Sequence, residues 1–240
     1  MSDTAQLHTA KTDPVKTQTT QVDAKGLLFD MDGVLVSSIA SVNRCWKLWA
    51  AHYNVPNADQ VQITHGIRAM QIMLSIRPDM TPEQLTEGLR VIEDLEIADV
   101  VDLKVLPGVR DLLGSLPPER WAIVTSATLR LLLGRLRAAA LPIPERIIAA
   151  DNVVNGKPHP EPYMRGAELL GFTSADCIVV EDAPSGVGSG VAAGSRVLGV
   201  LGTHTAEELR EAGAAWVVTS LTDVTVTADQ DGLHLQFTLI

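Results

Sequence analysis

The chain has 240 residues, 46% hydrophobic and 20% charged, which is ordinary globular composition and enough length for one large domain or a medium one carrying an insertion. Nineteen Lys and Arg against 29 Asp and Glu leave a formal charge of −10 without any basic run, which excludes nucleic acid and anionic membranes as expected partners. Cys45 and Cys177 lie in no ligand spacing, and no stretch approaches the roughly 18 apolar residues of a membrane span, so a cytoplasmic chain without a signal segment is expected.

Met1 to about Val22 is rich in Thr and Gln with only scattered apolar residues, and residues 1–22 are expected to form a disordered tail. The run Lys25-Gly-Leu-Leu-Phe-Asp30 then reads as a buried parallel strand that opens into a polar loop at Met31-Asp32-Gly33. About 90 residues separate Asp30 from the next such run at Trp121, far more than the ~12 a crossover needs, so something is inserted. Within that stretch Ile39, Val42, Trp46, Trp49 and Tyr53 make one apolar helical stripe, and Thr81-Pro82-Glu83-Gln84 is a capping box opening a second helix. The insertion, residues 38–104, is therefore expected to be a small helical cap with the two tryptophans in its core.

Further strands are predicted at Trp121–Thr125, Arg146–Ala150, Cys177–Glu181 and Arg196–Val200, with a weaker one at Ala215–Val218. Helical patterns alternate with them, including the Leu129, Leu132, Leu133, Leu136 face and a capping box at Thr205-Ala-Glu-Glu208. Strand–helix alternation implies an α/β fold, a doubly wound parallel sheet covered on both faces and built from residues 23–37 and 105–240. Val224–Thr227 and Leu233–Phe237 alternate around Asp231-Gly232, the pattern of a closing β-hairpin.

Asp30 with Asp32, Ser126, Lys157, and Glu181 with Asp182 all fall at or just beyond the C-terminal ends of apolar runs, the edge where open α/β sheets bind ligands. Any one could be a turn former or a helix cap. Converging in one crevice, the carboxylates would repel one another unless a cation neutralised them, and an all-oxygen set without a His or Cys cluster suits Mg²⁺. An ion, a lysine and a hydroxyl together make a socket for a phosphoryl group, with one carboxylate left to attack and another to move protons. Asp30 and Asp32, two residues apart in extended chain, fit those two roles.

In order, Asp30-Met-Asp32-Gly33-Val34, Thr125-Ser126, Gly156-Lys157-Pro158 and Glu181-Asp182-Ala-Pro-Ser-Gly186 resemble the four motifs of the haloacid dehalogenase-like hydrolase superfamily. Within it, Trp121–Thr128, Gly156–Tyr163 and His65-Gly66-Ile67-Arg68 resemble the sugar- and polyol-phosphate phosphatases, such as glycerol-phosphate and 2-deoxyglucose-6-phosphate phosphatases. The resemblance implies a Rossmann-like core with a mobile cap, a small phosphorylated metabolite as substrate, and a monomer. It makes Asp30 the nucleophile and a Mg²⁺ ligand, and Asp32 the acid/base that also gives its backbone carbonyl to the metal. Ser126 and Lys157 would hold phosphoryl oxygens, Asp182 would be the second carboxylate ligand, and Glu181 would lie at the metal or its waters.

Arg68 either reaches the substrate from the cap or is a solvated cation, and His65 and Asn43 are candidate substrate contacts beside it. His159, between two prolines, reads as rigidifying the Lys157 loop. A β-phosphoglucomutase-like mutase shares the four motifs but carries a His where this chain has Val42, and a phosphonatase would need a cap lysine, for which Lys47 is the candidate. The non-enzyme alternative is a phospho-accepting signalling or sugar-phosphate sensing domain; in signalling receivers the acidic pair ends the first strand and the acceptor Asp ends a middle one, an arrangement this chain lacks.

Overall fold

The computed structural model describes residues 19–240. The elements run β1 (Thr19–Ala24), β2 (Gly26–Phe29), β3 (Val36–Ser37), α1 (Ile39–His52), α2 (Ala69–Ile76), α3 (Pro82–Ala98), β4 (Lys104–Val105), α4 (Val109–Ser115), β5 (Trp121–Val124) and α5 (Leu129–Ala138). They continue with β6 (Ile147–Ile148), α6 (Glu161–Leu169), β7 (Cys177–Glu181), α7 (Pro184–Ala192), β8 (Arg196–Val200), α8 (Ala206–Glu211), β9 (Trp216–Val218), β10 (Val224–Ala228) and β11 (Leu233–Thr238).

Six strands form one parallel sheet in the order β6-β5-β2-β7-β8-β9. Its central strands are apolar without interruption because both faces are covered. Leu27, Phe29, Ile123, Ile178 and Val180 pack on one face with Leu112 of α4 and Leu132 of α5, while Leu28, Val124 and Val179 pack on the other with Ala167 of α6 and Val187 of α7. This is the doubly wound α/β core the alternation implied, and it carries the C-terminal ends of β2, β5 and β7 to one crevice.

The predicted tail is corrected at its C-terminal end. Residues 1–18 lie outside the described residues, but Thr19–Val22 belong to β1, which pairs antiparallel with β11 from Thr19 opposite Thr238 to Ala24 opposite Leu233. Thr20, Val22 and Ala24 alternate with polar residues, and a partner strand more than 200 positions away satisfies their backbone, so local composition does not disclose the strand. The expected hairpin of β10 and β11 forms and becomes a sheet of three strands with β1.

The short antiparallel pair β3 and β4, with Val36 opposite Val105 and Ser37 opposite Lys104, frames the inserted helices α1, α2 and α3. These have their own core of Val42, Trp46, Trp49, Ile72, Met73, Leu85 and Ile92. The Trp46 and Trp49 rings lie 5.4 Å apart, tilted by 54°, and the Trp49 indole N–H donates to the Gly88 carbonyl at 2.9 Å, so the tryptophans are buried in packing. Among the described residues, no helix is long and apolar enough to cross a membrane.

Candidate active site

Asp30 follows β2 directly, Ser126 lies two residues beyond β5, and Asp182 follows β7, so the parallel register brings all three to the same sheet edge. Lys157 enters from the loop before α6 and is buried. Its Nζ donates to Asp30 Oδ1 at 2.8 Å, to Glu181 Oε1 at 2.6 Å and to the Val124 carbonyl at 3.0 Å. An ammonium taken out of water needs that company, since an unpaired buried charge would be untenable. Burial pulls the Lys157 pKa down, but Asp30 and Glu181 outweigh it and the net direction is up, which keeps the lysine charged.

The same burial drives Asp30 well above the ordinary carboxylate range, opposed by Lys157 and reinforced by Glu181 and Asp182. Burial also lifts Asp182, with help from Glu181 and against hydrogen bonds from Thr203, to about 7. Thr203 donates its backbone N–H at 3.0 Å and its hydroxyl at 2.6 Å to Asp182 Oδ2. Gly33 is what lets Asp182 fit. Its φ is +89°, and a Cβ there would lie 1.9 Å from Asp182 Oδ2.

Glu181 lies beside Asp30 and Asp182 and is also the partner of Lys157. Oε1 accepts from Lys157 and from the Tyr163 hydroxyl at 2.6 Å, and Oε2 accepts the backbone N–H groups of Asp182 at 3.1 Å and Ala183 at 3.3 Å. Both oxygens accept from protein donors, and Glu181 acts as the counter-ion that fixes Lys157. The Lys157 ammonium also sits 4.9 Å from the centre of the Tyr163 ring.

Oxygen atoms of Asp30, Glu181 and Asp182 lie within 4.8 Å of one another. Three buried carboxylates answered by one lysine leave an uncompensated negative charge, and a hard divalent cation on Asp30 and Asp182 would neutralise it. The donor set therefore fits such an ion, with Asp30 and Asp182 as its carboxylates and Glu181 beside them.

Asp32 points into the cavity above this cluster. Its Oδ1 accepts the Ser38 hydroxyl at 2.7 Å, and its Oδ2 meets Arg135 Nη1 at 2.5 Å; Arg135 Nη2 continues to Glu96 Oε2 of α3 at 2.5 Å. The cavity, about 300 Å³, lies between the sheet edge and the inserted helices. Asp30, Asp32, Ser126 and Asp182 line it from below, while Val42, Trp46, His65 and Ile67 line it from the insertion.

The cap residues fall out unevenly. His65 reaches the cavity, where burial and the neighbouring His204 lower its pKa against the pull of Asp32. Asn43 is half-buried on α1 and is not among the cavity residues, where the apolar stripe places Val42 and Trp46. Lys47 is exposed and also off the cavity, and its neighbour Arg44 is tied to Asp99 and Asp102. Arg68 borders the cavity, but its guanidinium donates to the carbonyls of Val153 at 3.0 Å and Val154 at 2.9 Å, clamping the insertion to the loop that carries Lys157. Arg68 thus lines the cavity and at the same time binds the Lys157 loop. Ser126 is also engaged by the insertion, donating its hydroxyl to the Gly66 carbonyl at 2.9 Å. His159 is exposed, its carbonyl accepting the Ser189 hydroxyl at 2.6 Å, a place in the loop rather than in the cavity.

Sequence reasoning missed Thr203, Ser38, Tyr163 as a hydrogen-bond partner, and the pair Arg135 and Glu96. A signal existed for the last two. Arg135 follows Leu131 and Leu132 at helical spacing on the buried face of α5, and Glu96 follows Ile92 in the same way on α3. Buried charges at such positions call for partners.

A family profile for haloacid dehalogenase-like hydrolases matches residues 24–194. The chain is 36% identical over 210 residues to hexitol phosphatase A of Escherichia coli, covering 87% of this chain and 96% of that one. It is 28% identical to glycerol-1-phosphate phosphohydrolase 1 of Saccharomyces cerevisiae, over 93% of this chain and 94% of the yeast protein. The crystal structure of a hydrolase from Pseudomonas syringae superposes with a TM-score of 0.75 at 25% identity, covering 83% of this chain and 95% of that one. With the sheet order, the inserted helices and the ordered carboxylate, hydroxyl and lysine positions all in agreement, the chain belongs to the haloacid dehalogenase-like hydrolases.

Proposed function

We propose that the protein is a Mg²⁺-dependent phosphatase of small sugar or polyol phosphate monoesters that works through an aspartyl-phosphate on Asp30. The observation that carries this reading is the buried cluster of Asp30, Lys157, Glu181 and Asp182, with Asp32 held over it from a separate set of partners. Mg²⁺, when bound by Asp30 and Asp182, would supply positive charge to the transferring phosphoryl oxygens.

The remaining work falls to the chain itself. Lys157, kept charged, faces Asp30 and can neutralise a second phosphoryl oxygen. Ser126 exchanges the Gly66 carbonyl for a phosphoryl oxygen, so its hydroxyl stays satisfied in both states. An Asp30 oxygen attacks phosphorus as the bond to the leaving oxygen breaks, and Asp32 gives that oxygen its proton. Water then attacks the phosphorus of the aspartyl-phosphate, Asp32 takes the proton, and the bond to Asp30 breaks to release phosphate. The inserted helices act as a cap that excludes bulk water in the first step and admits it in the second. The proposed enzyme is a monomer at work in the cytoplasm.

The substrate class rests on the size of the cavity and on the relatives named for hexitol and glycerol-1-phosphate. Val42 on the cavity wall offers no proton acceptor for moving a phosphoryl group between two hydroxyls, which favours hydrolysis over mutation of the sugar phosphate. The test is phosphate release from a panel of hexitol, glycerol and hexose phosphates, with Mg²⁺ and with chelator. Release from polyol or sugar phosphates that stops on chelation and in Asp30→Asn is expected. Isomerised sugar phosphate without free phosphate, or release indifferent to chelation, would contradict the reading.

A further inference from the structure

Asp32 has one oxygen held by the start of the insertion and the other by a core helix whose holding residue is in turn bound by the inserted helix α3. Ser38, the residue before α1, takes Oδ1, and Arg135 on α5 takes Oδ2. Arg135 is buried, and its second arm is held by Glu96, itself buried, on α3. Elsewhere along the same helix pair, Arg130 pairs with Glu93 and Asp94, and Thr128 donates to Glu93. Those contacts end at the interface, whereas Arg135, on this helix pair, reaches past it to a residue of the reaction.

We propose that Arg135 is a positioning residue that fixes Asp32 only while α3 is docked, so that Glu96 reports closure of the inserted helices to the acid/base carboxylate. The inference rests on the phosphatase reading of Asp32. A planar guanidinium can bridge two carboxylates on different nitrogens in fixed directions, as here, whereas an ammonium is a point charge without that fork. Undocking α3 would remove one of Arg135's two anions and open the other to water, freeing Asp32 to leave the reacting oxygen. Proton transfer would then be confined to the closed state, when bulk water is excluded.

The experiment compares wild type, Arg135→Lys, Glu96→Gln and the double variant as full chains, by steady-state kinetics on a polyol phosphate that wild type hydrolyses. Backbone hydrogen exchange over residues 93–98 and thermal unfolding are measured alongside. Arg135→Lys is expected to lower kcat about 100-fold with KM within about threefold, as loss of alignment does. Glu96→Gln should lower kcat about tenfold with the same split, and the double variant should be no slower than Arg135→Lys alone, because the two act through one chain of contacts. Exchange over 93–98 should quicken in both single variants. If Arg135→Lys does not fold, the kcat and KM of Glu96→Gln decide alone.

A KM rise with kcat preserved, kcat losses that multiply in the double variant, or unchanged kcat in Glu96→Gln would overturn the coupling. Wild type inactive across the panel would overturn the phosphatase reading instead, and unchanged exchange over 93–98 in Arg135→Lys would then still overturn the docking role.

Discussion

Gly156 and Arg68 are in contact across the boundary between the sheet domain and the inserted helices: a Cβ on Gly156 would stand 2.4 Å from Arg68 Nε. The guanidinium is meanwhile fixed by the Val153 and Val154 carbonyls, so it cannot retreat without giving up both bonds. Gly156→Ala is therefore expected to unseat Arg68 and loosen the insertion from the Lys157 loop. A loss of about tenfold in kcat/KM, near 1.4 kcal/mol, is expected for Gly156→Ala and for Arg68→Ala alike. Kinetics of both variants and their double check this, the double showing no further loss because the same clamp is removed.

Gly33 bears on the metal-side carboxylate. Substitution by Ala meets both a φ of +89° and a Cβ 1.9 Å from Asp182 Oδ2, so Asp182 or the loop must move. Gly33→Ala is expected to cut activity at least about 100-fold. Because Asp182 is displaced rather than removed, raising the Mg²⁺ concentration should recover part of the loss, which a Mg²⁺ titration of the initial rate would measure.

Tyr163 tests the support behind Lys157. Its buried hydroxyl donates to Glu181 Oε1 at 2.6 Å, and burial, reinforced by the nearby Glu181 and Asp30, pushes its own pKa well above the ordinary range, so it stays a donor. Tyr163→Phe keeps the ring under the ammonium and removes the hydroxyl. A stability loss of about 1–3 kcal/mol is expected, the usual result of stripping a charged buried acceptor of one donor. Urea unfolding at neutral pH is the measurement.

Glu96 gives a pH dependence of known sign. Burial lifts its pKa to about 7, because desolvation and the nearby Asp32 and Glu93 outweigh Arg135 and the Trp46 indole. A carboxyl whose folded pKa is raised binds its proton more tightly in the folded state. Its contribution is complete below the unfolded value of 4.5 and disappears as pH rises through about 7. The stability of Glu96→Gln minus that of wild type should therefore grow from pH 4.5 to above 7, as read by urea unfolding across that range. A difference flat with pH would show that Glu96 does not titrate upward.

Much of the sheet was legible because its strands are unbroken apolar runs that stop at polar residues, as at Phe29 before Asp30 and at Val124 before Thr125. That local pattern also located the crevice, since parallel strands place their C-terminal ends on one edge. β1 was hidden because its evidence is its pairing with β11, a non-local register that composition does not carry. The protein partners of Arg68 and Glu181 were hidden for a related reason. Their residue types suggest ligand contacts, but the Val153 and Val154 carbonyls and the Lys157, Tyr163 and backbone donors that occupy them come from distant parts of the chain. Arg135 was readable as a buried cation on an apolar helix face, though its two anions were not.

The most direct measurement is acid quenching of the Mg²⁺-loaded enzyme during turnover of a polyol phosphate, followed by mass spectrometry of its peptides. A labile phosphoryl group on the peptide carrying Asp30, absent in Asp30→Asn and absent after chelation, is the expected result. Phosphate released while that peptide stays unmodified at every quench time, or a phosphoryl group found on another residue, would contradict Asp30 as the nucleophile.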